Sequence, residues 1–233
     1  MTICNTITAG KANRLFWLGR YAERVYLELH LLRRYHDKML DGEPLEYKEY
    51  YRRLEIPNPY DDAEGFKLGF LYDRNNPASI IAGLTSANDN AIVLREEIKS
   101  ETMSYIQLSL VAIERLAAAQ EGNITNLQPI TDYLLAFWGS LDERIFDERV
   151  RNFLRMGRFV ELTDMLLRFE YPYFRVAEAF DALKMCSEHE EGILDKHMLV
   201  LLQHMLGSVE SYHVADMGFK AKAINYLNHL VLI

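Results

Sequence analysis

The sequence lacks most features that mark the common classes of binding proteins. Only two of its 233 residues are cysteine, Cys4 and Cys186, and we expect both to be free thiols. No run of Lys or Arg is longer than two residues and the formal net charge is −8, which argues against nucleic acid and anionic membrane surfaces. No stretch approaches the roughly 18 consecutive apolar residues of a membrane span. Residues 1–13 lack a charged region followed by an apolar run, so no secretory signal is expected and the predicted location is the cytoplasm.

The usual sequence marks of a catalytic or metal site are also missing. There is no Gly-rich phosphate loop, no Cys-x-x-Cys pair and no nucleophile elbow. A di-iron centre in a helical bundle needs two Glu-x-x-His motifs, and only the segment from Glu210 to His213 fits that pattern. We therefore expect no metal and no cofactor on this chain. If ATP is used, another protein must bind it.

The sequence does contain helical periodicity along nearly its whole length. Apolar residues recur at spacings of three and four, and no convincing alternation of period two occurs. The pattern predicts seven to nine helices and no sheet, which is an all-α multi-helix bundle. A single domain covering residues 1–233, with a flexible tail at residues 1–10, accounts for this length.

Capping and breaking residues set the expected helix boundaries. The first helix is predicted from about Lys11 to about Leu40, where Asp41-Gly42 closes it. Asn76 is expected to cap the helix that runs to about Lys99, with Pro77 in its first position, and Ser100 is expected to cap the next. The remaining helices are predicted at about 101–120, 127–140, 147–168, 173–190, 193–206 and 208–233, the last with a break near Gly218.

The connecting region at residues 43–76 is dense in tyrosine and supports two interpretations. It holds Tyr47, Tyr50, Tyr51, Tyr60 and Tyr72, with short helices favoured on either side of Pro57 and Pro59. In the first interpretation the region is an insertion whose aromatic faces pack on the bundle. In the second it is a lid or a surface for a partner. The packing interpretation is favoured.

The segment from Leu15 to Arg34 combines two apolar faces with buried charge. Its apolar residues cover both sides of the predicted helix, which is typical of a buried helix. Arg20 and Arg24 nevertheless fall within one apolar arc, and Glu23 lies three residues after Arg20. Because an unpaired buried charge costs several kcal/mol at least, these side chains must be paired or face a polar cavity.

A second segment repeats this pattern. Residues 151–168, RNFLRMGRFVELTDMLLR, resemble residues 14–33, RLFWLGRYAERVYLELHLLR, and Gly19-Arg20 aligns with Gly157-Arg158. Charged residues again follow one stripe of the helix: Arg158, Glu161, Asp164 and Arg168. This pseudo-repeat favours a pseudo-symmetric bundle in which both stripes face a shared interior. The glycine in each copy would let the two helices approach closely.

Three blocks of the sequence resemble the bacterial alpha-E domain family. LFWLGRYAERVYLELHLL (15–32) is similar to the family's opening, with the Glu-Arg pair at Glu23-Arg24. NNPASI (75–80) and SANDNAIVLREEIKSETM (86–103) resemble the second block, and FLRMGRFVEL (153–162) resembles the third. The resemblance implies an association with a circularly permuted ATP-grasp peptide ligase and a transglutaminase-like protease. It implies a supporting part in ATP-dependent amide-bond formation on a peptide or protein.

The charged residues allow two interpretations. The favoured one is a buried ion-pair network that fixes how the repeats pack. In the other, the side chains line a polar pocket for a carboxylate or phosphate. The excess of arginine over acidic residues supports this second interpretation, because anion binding needs unpaired donors. The candidates for either role are Arg20, Glu23, Arg24, Asn90, Arg95, Arg158, Glu161, Asp164 and Arg168.

The leading hypothesis for function is an accessory helical protein that binds an ATP-grasp-type ligase, a transglutaminase-like protein or their substrate. The alternative is a stand-alone enzyme of peptide modification or amide-bond formation whose active site is the Arg/Glu cluster. The sequence leaves open whether the chain is an enzyme, whether it binds a peptide or anionic ligand, and whether it forms a homo-oligomer.

Overall fold

The computed structural model describes residues 7–40, 47–121, 123–188, 190 and 192–232, with residues 35–40 and 47 described by their backbone alone. Within these ranges the chain forms eleven α-helices and one 3-10 turn, and the sole extended pairing is an antiparallel bridge between Leu194 and Val231. The predicted all-α class is confirmed. None of the described helices is both long enough and apolar enough to cross a membrane.

The helices follow one another in chain order with short connections. They are α1 (Ala9–Leu40), α2 (Tyr47–Leu54), α3 (Ala63–Tyr72), α4 (Ile80–Val93), α5 (Arg95–Ile98), α6 (Ser100–Ala118), α7 (Gln128–Arg144), α8 (Glu148–Arg168), α9 (Tyr173–Ser187), α10 (Lys196–Leu206) and α11 (Met217–Asn228), with the 3-10 turn at Ile124–Leu127. Their number exceeds the seven to nine predicted for two reasons. The helix expected to run to Lys99 is divided at Leu94, and both short segments of the tyrosine-rich region are helical.

The structure corrects two of the predicted helix caps. Ser79, not Asn76, caps α4 by accepting the backbone N–H of Ala82, and Asn76 forms a turn before the helix. Lys99 precedes α6 with a φ of 69°, so Ser100 is the first residue of that helix and not its cap. The predicted stop at Asp41-Gly42 and Cys4 in the predicted tail lie outside the described residues.

The described chain divides into two compact units. The first unit runs to Arg20 and resumes at Asp147, and the second is Tyr21–Phe146. Helix α1 therefore contributes residues 9–20 to the first unit and the rest of its length to the second. The expectation of a single domain stays a prediction.

In the first unit, α8 is the central helix. It packs against α9 and α11, while α10 packs against α9 and α11. The start of α1 also lies directly on α8, at the two glycines of the repeat. A Cβ atom on Gly19 would lie 2.1 Å from the carbonyl oxygen of Leu154, and one on Gly157 would lie 2.0 Å from that of Phe16. Two helix backbones can approach this closely only where no side chain intervenes.

The contact between these two glycines is reciprocal. Phe16 aligns with Leu154 and Arg20 with Arg158 in the two repeat segments, and the backbone N–H groups of Arg158 and Arg20 lie 3.2 and 3.0 Å from the Cβ positions of Gly19 and Gly157. Each glycine thus meets the same positions of the other segment. The predicted close approach is confirmed, and the two repeat segments meet through equivalent positions at these glycines.

In the second unit, α6 lies between α4 and α7, and α3 packs on both α4 and α6. The tyrosine-rich region supplies an aromatic cluster to this unit. Tyr50 and Tyr51 are buried beside Phe66 and Phe70, with ring centroids 5.0 to 6.0 Å apart. For the described part of this region, residues 47–76, the buried rings favour the packing interpretation over a lid.

Candidate functional site

The first part of the candidate site is a buried ion pair beside the glycine contact. Nε of Arg20 on α1 donates to Oε2 of Glu161 on α8 at 2.8 Å. Arg20 is 8% exposed and Glu161 1%. The guanidinium carbon of Arg20 also lies 5.0 Å from the ring centroid of Trp17, within the range of a cation–π contact. The guanidinium group is thus hydrogen-bonded at its edge by Glu161 and lies close to the Trp17 ring.

One helical turn further along α8, Asp164 and Arg168 form a second pair. Nε of Arg168 donates to Oδ2 of Asp164 at 2.6 Å, as the spacing of four residues predicts. Asp164 is 5% exposed, and its Oδ1 is buried with no hydrogen-bond partner among the described residues. A buried carboxylate oxygen without a donor is costly while the group is charged.

The environment of Asp164 therefore favours its protonated form. Burial raises the pKa of the carboxyl group, the Arg168 guanidinium opposes that rise, and the neighbouring Glu161 carboxylate adds to it. Arg20 also opposes the rise, but more weakly. The folded protein consequently holds a proton on Asp164 at pH values where the unfolded chain has already lost it.

We expect Asp164→Asn to change how stability depends on pH. Because the folded-state pKa is raised above 3.8, the folded state binds more protons than the unfolded state, and the contribution of Asp164 to the free energy of unfolding falls as pH rises through the interval between the two pKa values. Asn cannot ionise, so the stability of the variant relative to the parent should increase from pH 4 upward. Urea unfolding at a series of pH values measures this difference. A difference that is flat or decreases with pH contradicts the assignment.

Arg158 completes the charged residues of the first unit. Its side chain is half-buried, its guanidinium carbon lies 5.9 Å from the ring centroid of Phe159, and it makes further interactions. The charged residues of the first unit thus comprise three arginines and two acidic residues: Arg20, Arg158, Arg168, Glu161 and Asp164. The Arg20–Glu161 pair is closed to solvent, which agrees with the network interpretation for that pair.

The second unit holds the Glu-Arg pair of α1. Glu23 is 2% exposed, Arg24 is half-buried, and each interacts with other residues. Glu28, one turn after Arg24, is also 2% exposed. Burial raises the pKa of Tyr50 on α2 well above its usual range; the Glu28 carboxylate adds to the rise and the Arg24 guanidinium opposes it. Arg24, Glu28 and Tyr50 thus form a polar group where α2 meets α1, and Glu23 is buried elsewhere along the same helix.

The two remaining candidates do not share one environment. Asn90 on α4 is half-buried and interacts with other residues. Arg95 is exposed on the four-residue helix α5. As a candidate for a buried network, Arg95 is therefore wrong: the helix breaks at Leu94, and the Arg95 side chain that follows is in solvent.

Sequence reasoning missed two members of the polar group in the second unit. Glu28 follows Arg24 by four residues within the same largely apolar helix, and that spacing is a signal that identifies it. Tyr50 had no comparable signal, since only the fold brings α2 over α1. Among the described residues, no three His, Cys, Asp or Glu side chains lie together as metal ligands do. Cys186 is a half-buried free thiol.

Chemically, the paired guanidinium and carboxyl groups can hold helices in register, and the unpaired oxygen of Asp164 can hold a proton. Comparison with known families supports the resemblance seen in the sequence. The Alpha-E family model, described as a predicted alpha-helical domain with a conserved ER motif, matches residues 9–224. No curated protein and no solved structure matches the chain.

Proposed function

Because the chain belongs to the Alpha-E family, we propose that it is a non-enzymatic helical protein which supports an ATP-grasp-type peptide or amide ligase. It binds the ligase, an associated transglutaminase-like protein or their substrate. The ligase supplies the ATP chemistry, and this chain supplies a binding surface.

The observation that supports this proposal most directly is the burial of the Arg20–Glu161 pair. An enzyme that uses a guanidinium group to bind a substrate carboxylate or phosphate needs donors that the substrate can reach. Arg20 is 8% exposed, and its Nε is already bound to Glu161 at 2.8 Å. The pair therefore suits a packing role, which leaves partner binding to other surfaces.

The test is recovery of partners from the native cell. The tagged chain is expressed at its normal level, captured and analysed by mass spectrometry for proteins present in stoichiometric amounts. We expect an ATP-grasp-type ligase in the captured material, and its ATP turnover should rise when the purified chain is added back. Capture of the chain without a ligase, or a ligase whose turnover ignores the chain, contradicts the accessory role.

The stand-alone enzyme is the second candidate, and one observation favours it. The buried Oδ1 of Asp164 lacks a hydrogen-bond partner among the described residues, and burial raises the pKa of this carboxyl group. A carboxyl group with a raised pKa can serve as a general acid or base. This candidate predicts that Asp164→Asn folds normally but abolishes the function of the chain in cells, whereas the accessory role predicts that partner capture survives the change.

A further inference from the structure

A groove in the first unit is separate from the charged residues of the repeat. It lies between α10 and α11 and the segment that joins them, and its volume is about 960 Å³. Aliphatic and aromatic side chains, among them Leu201, Met205 and Tyr226, form most of its walls. Apolar walls with a few placed polar groups are typical of sites that bind small ligands, and the volume lies within their usual range.

One wall of the groove is a fixed aromatic surface. The hydroxyl of Tyr212 donates to the carbonyl oxygen of Tyr171 at 2.7 Å, which holds the Tyr212 ring in place. The centroid of that ring lies 5.9 Å from that of Phe219 in an edge-to-face contact, and the imidazole of His213 lies 6.1 Å from the Phe219 ring. Burial raises the pKa of Tyr212 to about 12, with the Glu170 carboxylate adding to the rise, so the phenol stays a neutral donor near pH 7. A preorganised wall costs little entropy when a ligand binds.

The polar groups that remain available in the groove are basic. Lys222 is exposed and has neither an ion-pair nor a hydrogen-bond partner among the described residues. Lys220, two residues earlier on α11, is instead buried, and its Nζ lies 2.8 Å from Oε1 of Glu170. His204 and His213 also line the groove.

Asp216, the acidic side chain on the groove wall, already accepts a hydrogen bond from the protein backbone. Oδ1 of Asp216 accepts the backbone N–H of Phe219 at 2.7 Å and so caps the start of α11. The positive end of the α11 dipole offsets its charge. Although the net charge of the chain is −8, a groove with a free lysine and two imidazoles complements an anion.

We propose that this groove binds a carboxylate that carries an aromatic or other bulky apolar group. Lys222 receives the carboxylate, the imidazoles of His204 and His213 donate to it, and the apolar body lies on Tyr212 and Phe219. A bare phosphate or sulfate would leave these walls without contact. A free aromatic acid and the carboxyl end of a peptide share this chemistry. The inference goes beyond the accessory role, since it holds whether or not a ligase is the partner.

Titration of the full chain with N-acetyl-L-phenylalanine and with its amide tests the proposal, with binding followed by NMR. The two probes have the same apolar body and differ in the charge of one end. We expect the acid to bind at least about five-fold more tightly than the amide, because the charge attraction to Lys222 is lost in the amide. Raised salt should weaken binding of the acid alone. The tripeptide Ala-Ala-Phe identifies the source: binding of the tripeptide but not of the acetylated amino acid supports a peptide end as the ligand.

A matched pair of lysine variants identifies the groove as the site. Lys222→Gln should weaken binding of the acid about five-fold and leave binding of the amide unchanged. Lys196→Gln removes the same charge from the exposed first residue of α10, outside this groove, and should leave both affinities unchanged. Three outcomes overturn the proposal: acid and amide both bind with equal affinity, none of the probes binds, or the two variants lose equal affinity for the probe that binds. Ligase capture plays no part in these measurements, so their failure is distinct from failure of the accessory role.

Discussion

Gly157→Ala should destabilise the first unit by about 3 kcal/mol or more, among the largest effects of a single methyl group in this chain. The added Cβ would lie 2.0 Å from the carbonyl oxygen of Phe16 and 3.0 Å from the backbone N–H of Arg20. These are backbone atoms, so no rotamer change relieves the overlap, and α1 must move away from α8. We expect a fall in Tm of roughly 10 °C, measured by circular dichroism.

The chain contains a matched control for this change. Gly139 lies within α7, and a Cβ added there has no atom within 4 Å. Gly139→Ala should therefore raise stability by about 0.5–1 kcal/mol, because alanine is the better helix former. If the two variants shift Tm in the same direction and by similar amounts, the close approach of α1 and α8 is not the cause. Gly19→Ala should act like Gly157→Ala, since the contact is reciprocal.

The glycine contact also indicates which parts of the structure can be predicted from sequence. Two copies of one pattern, offset by 138 residues, predicted that α1 and α8 pack through Gly19 and Gly157, because a repeated segment commonly makes a repeated contact. The presence of the helices could be predicted from periodicity, since a helix with an apolar stripe must bury that stripe. The ion pair of Asp164 and Arg168 required only the geometry of one helix.

Features that depend on distant elements were not predictable. Arg95 was a candidate for the buried charged residues, yet the helix breaks at Leu94 and the Arg95 side chain is exposed. Tyr50 lies beside Arg24 and Glu28 because α2 packs against α1, and the periodicity of neither helix specifies that contact. The groove at Lys222 arises where α10 and α11 meet, and nothing in the periodicity of either helix specifies that meeting.

Glu161→Gln should cost about 3–5 kcal/mol, because it leaves the buried guanidinium of Arg20 without its counter-charge. Glu161 is 1% exposed, and its Oε2 accepts from Arg20 at 2.8 Å. Replacing both partners by apolar residues, Arg20→Met with Glu161→Leu, should restore much of the loss, since no buried charge then remains unpaired. Chemical denaturation of the parent, Arg20→Met, Glu161→Leu and the double variant gives the coupling energy between the two side chains.

An exposed ion pair of the same chain provides the comparison. Nη2 of Arg74 lies 2.6 Å from Oε1 of Glu114, with the side chains 55% and 42% exposed. Glu114→Gln should cost less than about 1 kcal/mol, because water solvates Arg74 once its partner is lost. A loss of similar size for Glu161→Gln would mean that Arg20 reaches solvent or another anion in the folded protein. In that case the guanidinium would be available to a ligand, and normal folding of Glu161→Gln with loss of partner function would favour the Arg/Glu cluster as an active site.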